Sequence, residues 1–191
     1  QRWGVQVGDR VAIEAGLSCG ACRDCVSGYG QNCAEGRSYG SNITTAVTPA
    51  LWGGFGELMY LAPQTILTKL GDDVPADVAA GWFSPLANGI DWTGPIGGDV
   101  QPGDVVVVLG PGPQGLAACL AAKARGAATV VLAGLAKDAR RLAAGLSLGA
   151  DSVVKVDEES VVEVTRRVSE GRMADVVVDV SGSVPSAHTA A

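Results

Sequence analysis

The pattern of hydrophobic and polar positions divides the chain into two parts of different character. In the first part, residues 8–13 indicate a turn that leads into a strand, and residues 53–69 indicate β-strands broken by Pro63. Residues 75–90 have apolar positions at helical spacing and predict a helix. Residues 17–35 have little apolar periodicity, which is typical of a loop organised by something other than a hydrophobic core.

From about residue 104, strand and helix patterns alternate. The continuous run Val105-Val-Val-Val-Leu109 is typical of a strand buried on both faces. Three further strands are predicted at 129–133, 152–156 and 176–178, and those at 129–133 and 176–178 are expected to be buried. Helices are predicted between the strands at 113–126, 137–148 and 158–170. Leu142 and Leu146 are predicted to face inward. This alternation predicts a right-handed parallel sheet covered by helices on both faces.

Composition and charge narrow the classes of protein that the chain can represent. Of its 191 residues, 47% are hydrophobic and 18% are charged, as in an ordinary globular protein. The net charge of -6 argues against a nucleic-acid partner, because phosphate binding relies on clustered Lys and Arg. Neither a membrane span nor a signal peptide is evident, so we expect a cytoplasmic protein without a membrane partner. Both termini interrupt structural patterns, which predicts a fragment of a longer protein.

Four of the five cysteines lie close together in the sequence and are candidate metal ligands. Cys19, Cys22, Cys25 and Cys33 have the spacing C-x2-C-x2-C-x7-C. Four thiolates at this spacing can surround one tetrahedral Zn²⁺ and leave no position for water or substrate, so we predict a structural zinc site. Two disulfides and an iron–sulfur cluster are the alternatives. Cys119, in a predicted helix, is interpreted as a small buried apolar residue.

A glycine-rich segment follows the first buried strand. Gly110-Pro-Gly-Pro-Gln-Gly115 has the pattern G-x-G-x-x-G between a strand and a helix, which is typical of dinucleotide binding. Gly110 would permit the tight turn, Gly112 the approach of a pyrophosphate, and Gly115 the close packing of helix on strand. Pro113 and Gln114 lie in the first helical turn, where free N–H groups attract phosphate. A glycine-rich turn of unrelated use is the alternative.

The end of the second buried strand bears on which dinucleotide is bound. An acid at this place usually binds the adenosine ribose, but here the residue is Gly134. Without a carboxylate, repulsion of a 2′-phosphate is removed, and Lys137, Arg140 and Arg141 could pair with that phosphate. The sequence therefore favours NADP slightly over NAD, the alternative being that these cations only solvate a helix surface. Asp138 is interpreted as an acid of the first helical turn.

The cysteine and glycine motifs, in this order, resemble those of the zinc-containing alcohol dehydrogenases, a group of medium-chain dehydrogenase/reductases. The resemblance implies an α/β fold with a partial GroES-like, β-rich domain at 1–95, which includes the zinc lobe at 17–35. A partial Rossmann-like domain is implied at 96–191, with Ser181 and Gly182 near the nicotinamide ribose. Further matching segments extend over essentially the whole chain: Val7-Gly-Asp-Arg-Val11, Gly53-Gly-Phe-Gly-Glu57, Ser84-Pro-Leu-Ala87, Pro102-Gly-Asp104, Leu148-Gly-Ala-Asp151 and Asp179-Val-Ser-Gly182.

The resemblance also implies hydride transfer between an alcohol or polyol carbon and NAD(P), with a small-molecule alcohol or carbonyl substrate and a homo-oligomeric full-length protein. The family's catalytic zinc takes an early Cys and a His or Glu that lie N-terminal to this stretch. The single His here is His188, which we expect to be solvated at the start of a helix. Ser84 stands where a related branch has Glu, and Ser is a poor zinc ligand. We therefore expect an incomplete catalytic site and name no catalytic residue.

Other functions remain open from the sequence. A zinc-independent quinone or enoyl reductase of the same superfamily is favoured by Ser84 and disfavoured by the four cysteines. A non-catalytic NAD(P)-binding sensor would keep the glycine pattern without the ribose-binding acid. A zinc-stapled interaction module alone is disfavoured by the strand series between residues 104 and 180.

Overall fold

The computed structural model of the protein describes residues 3–190. They form two compact units, which divide between Ala76 and Asp77. The first unit contains β1 (Val11–Ile13), β2 (Gly16–Leu17), α1 (Arg23–Val26), β3 (Arg37–Ser38) and β4 (Leu67–Lys69). β1 pairs with β4 and β2 pairs with β3, both in the antiparallel sense. The predicted strand near residue 13 is confirmed.

A small aromatic core stabilises the first unit. The rings of Tyr39 and Trp52 stack with centroids 6.1 Å apart. The Tyr39 hydroxyl accepts the N–H of Ala62 at 2.8 Å and hydrogen-bonds the Thr65 hydroxyl at 2.5 Å. These hydrogen bonds offset the cost of removing the phenol oxygen from water. Because two-stranded sheets are marginal by themselves, the unit depends on these few large side chains.

The prediction of strands over residues 53–69 is wrong except at its end, where Leu67–Lys69 forms β4. Phe55 and Leu58 are exposed to solvent. In the part of the chain that the structure describes, residues 53–62 belong to no ladder, and the N–H of Tyr60 makes an isolated bond to the Leu51 carbonyl at 2.9 Å. Glycines on both sides of Phe55 weaken a strand by conformational entropy, so the apolar pattern alone does not form one.

The second unit is a parallel α/β sheet, as predicted. Its strands and helices are α2 (Ala76–Thr93), β5 (Val105–Leu109), α3 (Pro113–Ala124), β6 (Thr129–Gly134), α4 (Ala139–Ser147), β7 (Ser152–Lys155), α5 (Val161–Val168), β8 (Val176–Asp179) and α6 (Val184–Ala190). The strand order is β7-β6-β5-β8, and all pairs are parallel. From β5 the chain continues to β6 and β7 on one side and then crosses to β8 on the other side of β5. This change of direction creates a crevice at the carboxyl end of β5.

Two separate cores cover the faces of this sheet. Val106 and Val108 pack into the core that contains Ala118 and Cys119 of α3. Val107 and Leu109 pack into the opposite core, which contains Val164 of α5. Every residue of β5 is buried, which explains its continuous apolar run.

Two side chains differ from the predicted burial. Leu146 is 49% exposed, because Gly145 takes the inward position on α4. A Cβ at Gly145 would overlap the Leu132 side chain, so α4 lies too close to the sheet for a larger residue there. Val177 is 36% exposed, since β8 is at the edge of the described sheet.

The helix α2 lies in the second unit. A Cβ at Gly89 would stand 2.8 Å from the carbonyl group of Ala117, so α2 and α3 approach backbone to backbone. The domain boundary at residues 95 and 96 stays a prediction, because a compact unit need not coincide with a domain of the family. Among the described helices, none has the length and apolar character needed to cross a membrane.

Candidate cofactor groove and cysteine cluster

The four cysteines of the predicted zinc lobe meet in the first unit. Their sulfur atoms all lie within 4.8 Å of one another. Cys19 follows β2, Cys22 caps α1, Cys25 lies within α1, and Cys33 ends a 3-10 turn at Gly30–Asn32. Gly20, with φ +74°, makes the turn that brings Cys19 and Cys22 together. Among residues 3–190, no other group of three or more potential ligands converges in this way.

Three of the six sulfur–sulfur distances are close to those around a tetrahedral ion. The Sγ of Cys22 lies 3.4 Å from that of Cys25 and 3.9 Å from that of Cys33, and Cys19 and Cys25 are 3.9 Å apart. Zinc–sulfur bonds of about 2.3 Å at tetrahedral angles require sulfurs roughly 3.8 Å apart. Disulfide sulfurs are about 2.05 Å apart, so these three pairs are unbonded thiols.

Backbone amides stabilise negative charge on the cluster. The N–H of Cys22 donates to Cys19 Sγ at 3.3 Å, and the N–H of Cys19 donates to Cys33 Sγ at 3.3 Å. The amides of Ala21 and Cys22 lower the pKa of Cys19. The Cys25 amide and thiol lower the pKa of Cys22 to about 6, whereas burial raises the pKa of Cys25 to about 11. Because thiolate is the ligand form, Cys22 is prepared for a cation at neutral pH.

Cys119 is the fifth cysteine and has no such surroundings. It is fully buried in α3, and burial raises the pKa of its thiol to about 12. It therefore acts as a small apolar core residue, as the sequence indicates.

The glycine loop connects β5 to α3 and is held on both sides. The N–H of Gly110 donates to the Ala133 carbonyl at 2.9 Å. Gly110 has φ +109°, and a Cβ there would stand 2.9 Å from the backbone of Ser181. A Cβ at Gly115 would overlap the Gly110 carbonyl oxygen. Glycine is therefore required at both positions, and α3 begins directly under the loop with Pro113 at its first position.

A groove of about 870 Å³ opens at the carboxyl ends of these strands. Its volume lies within the usual range for small-molecule sites, roughly 300–1,000 Å³. The groove is lined by six of the predicted cofactor residues: Gly110, Gly112, Gly134, Lys137, Arg141 and Ser181. Beyond Gly112, the first turn of α3 presents N–H groups that have no acceptor within the helix.

Three predicted cofactor residues do not line the groove. Pro113 is exposed on the first turn of α3. The side-chain carbonyl of Gln114 accepts a bond from the Asn88 amide at 3.3 Å, which directs it toward α2. Gly115 lies under Gly110, so its contribution is to the shape of the loop.

The charged residues of the groove differ in how far they are already paired. The Arg141 guanidinium lies 3.2 Å from the Asp138 carboxylate, which also accepts the N–H of Leu135 at 3.3 Å. Lys137 lines the same wall and makes no ion pair among the described residues. Asp138 thus lies at the start of α4, as predicted, and Lys137 is the uncommitted cation of the groove.

The turn after β8 forms the opposite wall. Desolvation alone would raise the pKa of Asp179. Hydrogen bonds from the N–H of Ser181 at 3.0 Å and from the hydroxyl of Ser186 at 3.1 Å outweigh this effect, so the pKa lies below its usual value. The ionised carboxylate therefore fixes the turn that carries Ser181. His188 is exposed but lies in the last turn of α6, so its predicted place at a helix start is wrong.

Sequence reasoning missed several contacts of the groove. Asp157 accepts the N–H of Ala136 at 2.8 Å and closes the turn after β6. Pro111 lies against Gly134, where a Cβ would stand 2.6 Å from its ring. Both contacts join residues that are more than twenty positions apart, and only strand register brings them together.

The four-thiol cluster of the first unit and the parallel sheet of the second have counterparts in known protein families. Residues 1–72 match the alcohol dehydrogenase GroES-like domain, and residues 113–191 match the zinc-binding dehydrogenase domain. The chain belongs to the zinc-containing alcohol dehydrogenase family of medium-chain dehydrogenase/reductases.

The matches to individual relatives include nearly all of this chain but only about half of each relative. A "probable alcohol dehydrogenase" of Mycobacterium tuberculosis is 43% identical over 100% of this chain and 52% of its own. A "probable D-xylulose reductase A" of Neosartorya fischeri is 33% identical over 97% of this chain and 49% of its own. The crystal structure of an alcohol dehydrogenase from Thermotoga maritima has a TM-score of 0.86 and 26% identity, and the match covers 97% of this chain and 51% of that one. The chain therefore spans about half the length of the relatives it matches.

Proposed function

We propose that this chain is part of an NAD(P)-dependent dehydrogenase that oxidises alcohols or polyols or reduces the corresponding carbonyl compounds. The observation that carries the proposal is the groove at the end of β5, where Gly112 and the first turn of α3 face open space beside Ser181. The relatives named for alcohols and for D-xylulose support the substrate class. The dinucleotide, when bound, supplies the hydride chemistry.

In this proposal, the chain's own residues bind and orient the cofactor. The amides of the glycine loop hold the pyrophosphate, and Ser181, on the wall fixed by Asp179, borders the nicotinamide end. Lys137 and Arg141 face the adenosine end and give NADP a slight advantage over NAD. Catalytic residues are not among those that we assign here.

The proposed role of Cys19, Cys22, Cys25 and Cys33 is to hold a structural zinc. The sulfur separations and the amide donors support this assignment. Four protein ligands leave no open coordination position, so the ion stabilises the lobe and does not take part in the reaction. A cytoplasmic location and a homo-oligomeric full-length enzyme stay our expectations.

The test is an assay of the natural polypeptide that carries this chain. After dialysis, it is incubated with a panel of secondary alcohols and polyols and with NAD or NADP, and cofactor reduction is followed by absorbance. We expect turnover of at least one alcohol or polyol. Cofactor binding without any turnover would favour a nucleotide sensor, and turnover of quinones or enoyl compounds alone would favour the zinc-independent reductases.

Replacing both Lys137 and Arg141 by Ala should weaken the binding of NADPH more than the binding of NADH. Two charge-assisted contacts to a 2′-phosphate predict a loss of roughly tenfold or more in affinity for NADPH alone. Fluorescence titration with both reduced cofactors measures the effect, and Arg140→Ala is the matched control, because Arg140 is absent from the groove lining. Equal losses for the two cofactors would remove the specificity argument.

A further inference from the structure

The contact between Pro111 and Gly134 joins the glycine loop to the end of β6. Both residues line the groove and are buried. A Cβ built at Gly134 would stand 2.6 Å from Cγ and 2.8 Å from Cδ of Pro111, and 3.3 Å from Cδ2 of Leu142. Carbon atoms in contact are normally about 3.5–4.0 Å apart, so no side chain fits at position 134 beside this proline.

Glycine is required at position 134 because of this contact with Pro111, and not because of the backbone conformation. Gly134 belongs to β6, pairs with Lys155 of β7, and accepts the N–H of Val156 at 2.9 Å. Strand geometry of this kind is open to every residue. The obstacle to a larger residue is therefore the proline ring above it.

Neither partner of this contact can easily move. The ladder to β7 fixes Gly134. The loop is anchored by the bond from Gly110 to Ala133, and it lies so near the Ser181 backbone that a Cβ at Gly110 would stand 2.9 Å from it. A proline ring can change its pucker but cannot rotate away as other side chains do, because it is closed onto its own backbone nitrogen.

The consequence is that the adenosine end of the groove has no carboxylate at the end of β6. Sheets of this kind usually bind the ribose hydroxyls with an acid at the position of Gly134. The acids that lie nearby each contact another group of the protein: Asp138 pairs with Arg141, Asp157 accepts the N–H of Ala136, and Glu159 pairs with Arg167 at 3.2 Å.

We propose that Pro111 is a specificity-determining residue, which keeps an acidic side chain out of position 134 and so reserves this end of the groove for a phosphorylated ribose. The inference rests on the proposed function, since it concerns how the same groove selects its dinucleotide. Pro111 acts on selectivity through Gly134, whereas Lys137 and Arg141 are the groups that would touch the phosphate.

The steric part is tested by thermal unfolding of the natural polypeptide that carries this chain. Gly134→Ala should lower the Tm by roughly 5 °C, as expected for overpacking of a buried contact, and adding Pro111→Ala should restore at least half of the loss. Pro113→Ala is the matched control, because Pro113 is exposed and is not among the atoms nearest to position 134. Equal rescue by Pro113→Ala, or no loss in Gly134→Ala, would overturn the proposal.

The selectivity part is tested by fluorescence titration with NADH and NADPH. Pro111→Ala combined with Gly134→Asp should shift the ratio of the two Kd values by roughly tenfold toward NADH, whereas Gly134→Asp alone should bind both cofactors poorly. An unchanged ratio in a double variant that binds both cofactors would refute this inference and leave the proposed function intact. If the wild-type chain binds neither cofactor, the proposed function itself fails, and the selectivity role fails with it.

Discussion

Replacing Gly112 by Val should abolish measurable binding of NADH and NADPH while the thermal stability of the chain stays unchanged. Gly112 has φ -72° and ψ 178°, a conformation that Val adopts without strain. No atom lies within 4 Å of the position that its Cβ would take, so the new side chain would project into the groove and not into the protein. Because the pyrophosphate needs close approach to this backbone, we expect binding at least about 100-fold weaker.

Gly115→Ala is the matched control for this result. Its Cβ would overlap the Gly110 carbonyl oxygen, so the added methyl group should cost roughly 1–3 kcal/mol of folding free energy. Fluorescence titration and thermal melts of both variants separate the two effects. The outcome that contradicts the assignment is a Gly112→Val chain with wild-type affinity, which would place any dinucleotide elsewhere.

The purified chain should contain about one zinc ion, and Cys22→Ser should reduce this content at least about tenfold. Cys22 is the cluster thiol whose pKa is lowered to about 6, first of all by the Cys25 amide, so it supplies a thiolate at neutral pH. A serine hydroxyl is rarely ionised and is a poor ligand for zinc. Elemental analysis measures the metal, and limited proteolysis should show faster cleavage within residues 17–35.

Cys119→Ala provides the control, because Cys119 is buried in α3 and is not part of the cluster. This variant should keep its zinc. Iron in place of zinc, with visible absorbance, would support the iron–sulfur alternative. The loss of free thiols at positions 19, 22, 25 and 33 without any metal would support disulfides.

The parallel sheet could be predicted from the sequence because its strands bury both faces. Val105–Leu109 and residues 130–133 are uninterrupted apolar runs, which are typical of strands buried on both faces. The segment around Phe55 also has β-forming residues, yet its apolar side chains are exposed. Whether an apolar pattern becomes a strand depends on a partner, and local sequence does not specify one.

The site could be predicted only in part, for a similar reason. The cysteine spacing and the glycine pattern are local, so the clusters that they form follow from short-range geometry. The sequence does not show which cations of the groove are already paired, and the proline that covers Gly134 comes from another loop. An interpretation of Gly134 as merely a lost acid therefore missed the steric reason for its presence.

The close approach of Gly110 to Ser181 has a consequence for how the second unit is held together. The two walls of the groove come from segments some seventy positions apart, one after β5 and one after β8. A dinucleotide bound between them would connect two segments that no short loop joins. Its binding free energy would then oppose separation of β8 from β5, so occupancy would protect this pair of strands against unfolding.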